Sequence, residues 1–347
     1  MENLDGQRIV VTGGTGSLGK CLVRRLLAGE MGKPARVVVF SRDEAKQHEM
    51  RLESHGWAAA TDEVIYGDLK ERLQFVVGDV RDCQAVYGVL QGAHVVIHAA
   101  AMKQVPTCEY NPSEAIQTNV MGAAWIVRAL RDNCFRPHTV VGISTDKAVK
   151  PVNVYGMTKA IQERLFLKAN LQVPNTRFVS VRYGNVLASR GSVVPLFWSQ
   201  IRSGGPVTVT DPKMTRFFFT IDQAVDTVFE ALKYAEPGET LVPRIPSVRM
   251  IDLAMAMIGK HPITIQHTGI RPGEKLHEVL VSEEERTRTV TRGGYYVVRP
   301  ILPELRPLDE PPIGILREYT SSENTLSEAA VWQLLADADL LEDKACE

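Results

Sequence analysis

Tyr155 and Lys159 stand four residues apart in the run Tyr155-Gly156-Met157-Thr158-Lys159. On a helix that spacing puts both side chains on one face, with the ammonium beside the phenol. A neighbouring cation favours the phenolate and draws a tyrosine pKa down from about 10 toward working pH. Tyr155 so placed is a base for a sugar or steroid hydroxyl, with Lys159 its activator. A second acid/base pair, Asp146 and Lys147, lies just upstream in Ser144-Thr145-Asp146-Lys147. One pair supports a redox step at a carbinol; two support that step plus a further proton transfer. A Tyr-x-x-x-Lys spacing alone also describes an ordinary solvated helix face, so its meaning depends on the surrounding elements.

Those elements alternate. Short β-branched runs at 8–12, 35–40, 73–77, 94–98, 139–143 and 177–182 read as six strands. Several are almost continuously apolar, as parallel strands covered on both faces must be. Between the first two, Leu18, Leu22 and Leu26 recur every four residues and give a helix with one apolar stripe. Strand, helix and strand repeated in this way predict an α/β fold, a Rossmann-like doubly wound parallel sheet. After Arg182 the alternation loosens, which predicts a smaller C-terminal substrate-binding lobe. The expected division is a nucleotide domain over 1–183, rejoined by 217–243, and a lobe made of 184–216 and 244–347. Residues 221–232 read as a helix returning to the main domain.

The first turn, Thr12-Gly13-Gly14-Thr15-Gly16-Ser17-Leu18-Gly19, follows a strand and opens a helix. That context gives a glycine motif its meaning: bare backbone approaches a pyrophosphate, and the helix N-terminus offers free N–H groups. Gly13, Thr15, Gly16, Ser17, Leu18 and Gly19 are therefore candidates for a dinucleotide site. The end of the second strand selects the cofactor. NAD sites usually place Asp or Glu there for the ribose 2′-hydroxyl. This chain has Ser41-Arg42, with Lys46 one turn on, and a guanidinium forks onto a 2′-phosphate. NADP is expected, with the nearby Asp43 acting against it. Asp79 and Val80 after the third strand fall at the adenine edge. Ala99 and Ala100 after the fourth fall toward the nicotinamide. His98 either flanks the nicotinamide or is a satisfied strand-end histidine.

The glycine turn, Asp79-Val80, the alanines 99–101, Asn119 and Tyr155-x-x-x-Lys159, in this order, resemble the extended short-chain dehydrogenase/reductases, which act largely on nucleotide sugars. The likeness runs through almost the whole chain. Ser144-Thr145-Asp146-Lys147-Ala148-Val149 resembles the sugar-nucleotide dehydratases acting on UDP-N-acetylglucosamine. So do the stretch 182–197, Met214-Thr215-Arg216-Phe217, and Gly269-Ile270-Arg271-Pro272-Gly273-Glu274-Lys275. The nearest likeness is to the inverting 4,6-dehydratases of surface-glycan pathways. The chain departs from the pattern at three points. The segment 53–73 is longer than in compact members, and 56–62 within it reads as loop. Lys150 stands where Asn is common. Tyr155 is kept where some relatives carry methionine.

The resemblance implies a mechanism. Loss of water from a hexose is difficult because the C5 hydrogen is not acidic; a C4 ketone makes it removable. Tyr155 takes the C4 hydroxyl proton, Thr145 bonds the same oxygen, and Lys159 lowers the Tyr155 pKa and holds the nicotinamide ribose. Lys147 is implied as the C5 base and Asp146 as the acid at the departing hydroxyl. Crowding by Lys159 and the cationic nicotinamide is expected to push the Lys147 pKa down. Reprotonation of C5 from the opposite face gives the 5-epimer. Asn185, Arg216 and Arg271 are implied at the diphosphate, Val193 and Thr208 at the uracil, Glu274 at the uridine ribose, and Lys103 at the sugar or pyrophosphate.

Composition sets outer limits. The 347 residues carry a formal charge of -1, so no electrostatic case exists for nucleic acid. The five cysteines form no Cys-x-x-Cys pair, so no metal site or disulfide framework is expected, and their scatter fits a reducing cytosol. No apolar run nears the roughly 20 residues that span a membrane. The first residues lead directly into a strand, and a cytoplasmic enzyme is expected. The family resemblance implies a UDP-sugar as its partner, and a homo-oligomer. A proline-rich stretch, 300–312, should run extended over the surface, and 327–335 should form an amphipathic helix before a fraying end. Two other functions fit the same fold: a UDP-hexose 4-epimerase, and an NADP-sensing protein without catalysis.

Overall fold

A computed structural model describes residues 3–55, 72–132, 137–187, 192–306, 313–338 and 340–341. The loop expected at 56–62, residues 188–191 of the 182–197 motif, 307–312 of the proline-rich stretch and the last residues, 342–347, lie outside the described residues.

Six parallel strands form as the apolar runs predict: β1 (Arg8–Thr12), β2 (Arg36–Ser41), β3 (Leu73–Val77), β4 (Val95–His98), β5 (Thr139–Ile143) and β6 (Arg177–Val181). They lie in the order β3-β2-β1-β4-β5-β6 within a nine-stranded sheet. Alternate residues point to opposite faces and are buried on both. Ile9, Val11, Val37, Val39, Ile97 and Val141 join one core cluster. Val10, Val38, Val96, Val140 and Phe178 join the other. That two-sided burial explains the near-continuous apolar runs. Helix α1 (Ser17–Ala28) covers the first face through Leu22 and Leu26, and the helix Ile221–Tyr234 packs beside it.

The sheet continues beyond β6 with Thr240–Pro243, parallel to β6, then Tyr295–Val298 and Thr289–Arg292, both antiparallel. Residues 289–298, assigned from sequence to the lobe, therefore belong to the main sheet. The lobe itself gathers a three-stranded sheet (Asn185–Val186, Thr215–Phe219, Ser247–Arg249) and helices Val193–Arg202, Met250–Ile258 and Glu328–Asp337. Val194, Phe197, Leu253, Met257, Val331 and Leu335 form its core. The C-terminal helix is thus a packed element, held on its apolar side by Val331 and Leu335. Within the proline-rich stretch, Pro303–Leu305 makes a 3-10 turn. Among the described residues no helix is long and apolar enough to cross a membrane.

Candidate active site

Strand order reverses between β1 and β4, the point where open α/β sheets bind ligands. The segments that leave the two strands nearly touch there. A Cβ on Gly13 (φ +69) would stand 2.7 Å from the backbone of Ala100, so only glycine fits. Gly19 is equally constrained, since a Cβ would lie 2.5 Å from the Gly14 backbone. Gly16 caps α1 with no side-chain hydrogen bond, leaving the first-turn N–H groups facing a cavity. This cradle fits a pyrophosphate, which is the test a dinucleotide must pass.

The cavity holds about 1070 Å³, above the roughly 300–1,000 Å³ usual for one small ligand, so it has room for two. Its wall brings together nearly every residue singled out from sequence. Gly13, Thr15, Gly16, Ser17, Leu18, Gly19, Ser41, Arg42, Lys46, Asp79, Val80, Ala99 and Ala100 line one side. Lys103, Asn185, Val193, Thr208, Arg216, Arg271 and Glu274 line the other, and Thr145, Lys147, Tyr155 and Lys159 lie in the wall with them. Asp146 alone is outside the lining, fully buried behind Lys147.

The catalytic candidates are set by two short elements. Asp146–Ala148 is a single 3-10 turn after β5, capped by Thr145. The helix Val154–Gln172 starts at Asn153, whose side chain accepts from Gly156 N at 2.7 Å and donates to Gly273 O at 2.8 Å. Asn153 thus ties the Arg271–Lys275 stretch to the start of the Tyr155 helix. Lys150, in the loop between, has φ 44, a left-handed conformation that Asn tolerates better than most residues. Its ammonium pairs with Glu318 at 2.5 Å.

The charges depart from the sequence expectation. Burial pushes the Tyr155 phenol up to about 12, against the pull of the Lys147 ammonium and a hydrogen bond with Thr145. Lys147, rather than Lys159, is the cation that acts on the phenol. Lys159 is buried, bonds Gln162 Oε1, and is drawn down to about 7 by burial against the attraction of Glu163. Lys147 also shifts the opposite way from expectation. Burial works against its charge, but Asp146 and Glu278 outweigh it and hold the ammonium above its ordinary value. Its Nζ lies 3.0 Å from Asp146 Oδ1, 3.5 Å from Glu278 Oε1 and 3.3 Å from Asn185 Oδ1. Asp146 Oδ1 also accepts from Thr145 Oγ1 at 2.8 Å.

Other candidates find partners that refine their roles. Arg216 is buried and donates to the carbonyls of Thr215, Leu276 and Lys275, so much of its guanidinium is committed within the lobe. Thr208 Oγ1 accepts from Gln200 at 2.7 Å. Glu274 closes its own turn by accepting from Arg271 N. Ser41 Oγ accepts from Gln47, and Lys46 pairs with Asp43. Arg42 projects from the end of β2 with its side chain 62% exposed. Asp79 is desolvated, yet the Arg81 guanidinium at 2.7 Å holds its carboxyl below the usual range. His98 is fully buried and lies outside the cavity wall; its Nδ1 bonds Thr12 Oγ1 at 2.8 Å while its Nε2 has no hydrogen-bond partner among the described residues, so it is a strand-end histidine satisfied on one side only. Burial and the nearby Lys159 lower its pKa to about 3, so it is neutral.

Sequence reasoning missed Glu278, Asn153 and a buried network behind the Tyr155 helix. In that network Arg182 bonds Glu163 at 2.6 Å and Glu285 at 2.8 Å, while Glu163 accepts from Ser144 Oγ. Glu285 is desolvated, but Arg182 outweighs this and lowers its pKa from 4.5 to about 2. The stabilisation is therefore complete above pH 4.5 and fades as pH falls toward 2. Glu285→Gln is expected to lower Tm near neutral pH, with the gap to wild type closing across that acid window in thermal melts. The cost stays below the ~3 kcal/mol of a fully orphaned buried ion, because Glu163 still pairs Arg182.

Several known proteins resemble this chain. A family model described as polysaccharide biosynthesis protein matches residues 9–300. The chain is 39% identical to a UDP-N-acetylglucosamine 4,6-dehydratase (inverting) of Campylobacter jejuni, over 85% of this chain and 84% of the relative. It is 37% identical to a UDP-glucose 4-epimerase of Rickettsia bellii, over 97% of each. Its structure is similar to that of Pen from Bacillus thuringiensis, with TM-score 0.86 and 32% identity over 97% of this chain and 99% of that one. The fold is shared with DesIV, a dTDP-glucose 4,6-dehydratase from Streptomyces venezuelae solved with NAD and TYD bound, at TM-score 0.64 and 23% identity over 78% and 86%. The chain belongs to the polysaccharide biosynthesis protein family, as an enzyme among the sugar-nucleotide dehydratases and epimerases of the extended short-chain dehydrogenase/reductase type.

Proposed function

We propose that this enzyme is an NADP-dependent UDP-N-acetylglucosamine 4,6-dehydratase that inverts C5. The observation that carries the reading is Lys147, held between the buried carboxylates of Asp146 and Glu278 in the wall that also contains Tyr155 and Lys159. Each buried ion costs several kcal/mol unless pairing or chemistry offsets it. A 4-epimerase needs no acid or base at C5 and has no use for such a set, whereas a dehydratase needs both.

The cofactor, when bound, supplies a hydride acceptor for C4 and a hydride donor for C6. Tyr155 removes the C4 hydroxyl proton, with Thr145 bonding the same oxygen and Lys159 at the nicotinamide ribose. Once C4 is a ketone, Lys147 in its amine form removes the C5 proton, and the Asp146 carboxylate bonded to Lys147 relays that proton to the departing C6 hydroxyl, which leaves as water. Arg271 and Asn185 hold the diphosphate, with Arg216 shaping that wall through its carbonyl contacts. Val193 and Thr208 flank the uracil, Glu274 the ribose, and Lys103 the sugar.

Arg42 supports NADP, since it extends into the cavity while Asp43 is neutralised by Lys46. A direct affinity comparison is expected to give tighter NADP binding; tighter NAD binding contradicts the assignment. The 4-epimerase reading is kept alive by relatives of that name matched over 97% of the chain. Incubation with UDP-N-acetylglucosamine in D2O separates the two by product NMR. A 4-keto-6-deoxy sugar with deuterium at C5 supports the dehydratase; a C4 epimer with no C5 exchange sinks it.

A further inference from the structure

Glu278 has no part in the mechanism above, yet it is placed to govern it. It is nearly inaccessible, at 2% exposure, yet it lines the cavity together with Lys147 and Tyr155. Its backbone is fixed from both sides, with N donating to Ser321 Oγ at 2.9 Å and O accepting from Ser321 N at 2.8 Å. One carboxylate oxygen, Oε1, faces Lys147 Nζ at 3.5 Å and Arg216 Nε at 3.9 Å. The other, Oε2, is buried with no hydrogen-bond partner and has Lys275 Nζ at 3.8 Å. Lys275 itself donates to Val149 O at 2.6 Å. The adjacent His277 is turned away onto Thr215 Oγ1.

The charged groups around Lys147 are therefore Asp146 on its own turn, Glu278 and Lys275 from the lobe segment, and Arg216 from the lobe strand, with Tyr155 from the helix. Asp146 and Glu278 approach the amine from different elements and clamp it at the boundary between sheet and lobe. We propose that Glu278 is a positioning residue for the dehydration: it fixes the Lys147 amine against Asp146 and sets the pH at which that amine accepts the C5 proton. The proposal rests on the dehydratase reading. The ammonium must first release a proton to water; the amine then takes the C5 proton and becomes the ammonium again.

The signs follow from charge. Glu278 favours the ammonium, so its removal frees the amine at lower pH, and the rising limb of the kcat–pH profile moves down. Lys275 opposes the ammonium and competes for Glu278, so its removal moves the limb up. An opposite charge within about 4–6 Å shifts a pKa by about 1–3 units. Glu278→Gln is thus expected to move the limb down by about one pH unit or more, and Lys275→Gln to move it up. Glu278→Asp should bring it back toward wild type.

The experiment measures kcat for UDP-N-acetylglucosamine against pH, with C5 deuterium exchange followed in D2O and UDP binding followed by calorimetry. Opposite displacements by the two variants support the proposal, because a merely structural role lowers turnover without moving the limb. Limbs that stay put, or move the same way, overturn it. Where Glu278→Gln does not bind UDP, the direction of the Lys275→Gln shift decides alone. Absence of C5 exchange in the wild type overturns the dehydratase reading and the proposal with it.

Discussion

Lys147→Ala is expected to abolish dehydration while leaving NADP and UDP binding intact. A positioned acid or base contributes about 10²–10⁴-fold, so kcat should fall by at least that range. The loss should also be selective. Tyr155 and Lys159 survive in this variant, so reduced cofactor should still form, detected by its absorbance, while C5 exchange disappears. The variant also deprives Tyr155 of the cation that lowers its phenol, so C4 oxidation should slow and need higher pH. Asp146 and Glu278 would be left facing each other without their shared counter-ion, a destabilising pair of buried carboxylates. Lys147→Arg therefore serves as the companion, keeping the charge and the fold but removing an amine that can give up its proton and act as a base. Normal C5 exchange in either variant would remove Lys147 from the mechanism.

Gly156→Ala should damage stability and turnover together. An added Cβ would stand 2.1 Å from the Lys147 carbonyl oxygen and 2.9 Å from its carbonyl carbon. Both neighbours are backbone, so either the 3-10 turn bearing Asp146 and Lys147 or the helix bearing Tyr155 must move. Overpacking of this kind costs about 1–3 kcal/mol and occasionally more, and no flexible side chain is present to absorb it. A displacement of about 1 Å at the chemistry costs on the order of 100-fold in rate. We expect a lowered Tm together with a roughly 100-fold lower kcat, the latter measured on the folded fraction well below the melt. Gly88→Ala is the control: it lies in the helix Cys83–Leu90, meets nothing within 4 Å, and should leave both quantities unharmed. Wild-type turnover in Gly156→Ala would show that the tight approach of turn and helix is irrelevant to catalysis.

The contrast between these residues explains what sequence could carry. The six strands were legible because burial on both faces forces apolar runs, and Val10 and Val11 are each needed by a different core. Gly13 and Gly19 were legible because both fall in one strand-to-helix glycine turn; the Gly14 contact that requires Gly19 is local, whereas the Ala100 contact that requires Gly13 comes from the segment after another strand. Lys147 was found by its neighbours in sequence, but its electrostatics were misjudged for the same reason. Glu278, which helps reverse the expected shift, arrives from the lobe 131 residues further along the chain, and local spacing carries no trace of it. Asn153 did leave a signal: an Asn three residues before Gly156 at a helix start is a capping pattern. The hairpin of Thr289–Arg292 and Tyr295–Val298 left one too, since Gly293-Gly294 between β-rich runs marks a tight turn. What that signal lacks is the partner, and so the hairpin's place at the edge of the main sheet could not be read from it.

In the proposed reaction, hydrogen removed from C4 of the sugar is returned to C6 of the same molecule, with Lys147 and Asp146 acting between the two transfers. The most direct measurement is a turnover of UDP-N-acetylglucosamine carrying deuterium at C4, with the product read by NMR. The label is expected in the C6 methyl group of a 4-keto sugar. Label retained at C4 of a hydroxylated product would contradict it.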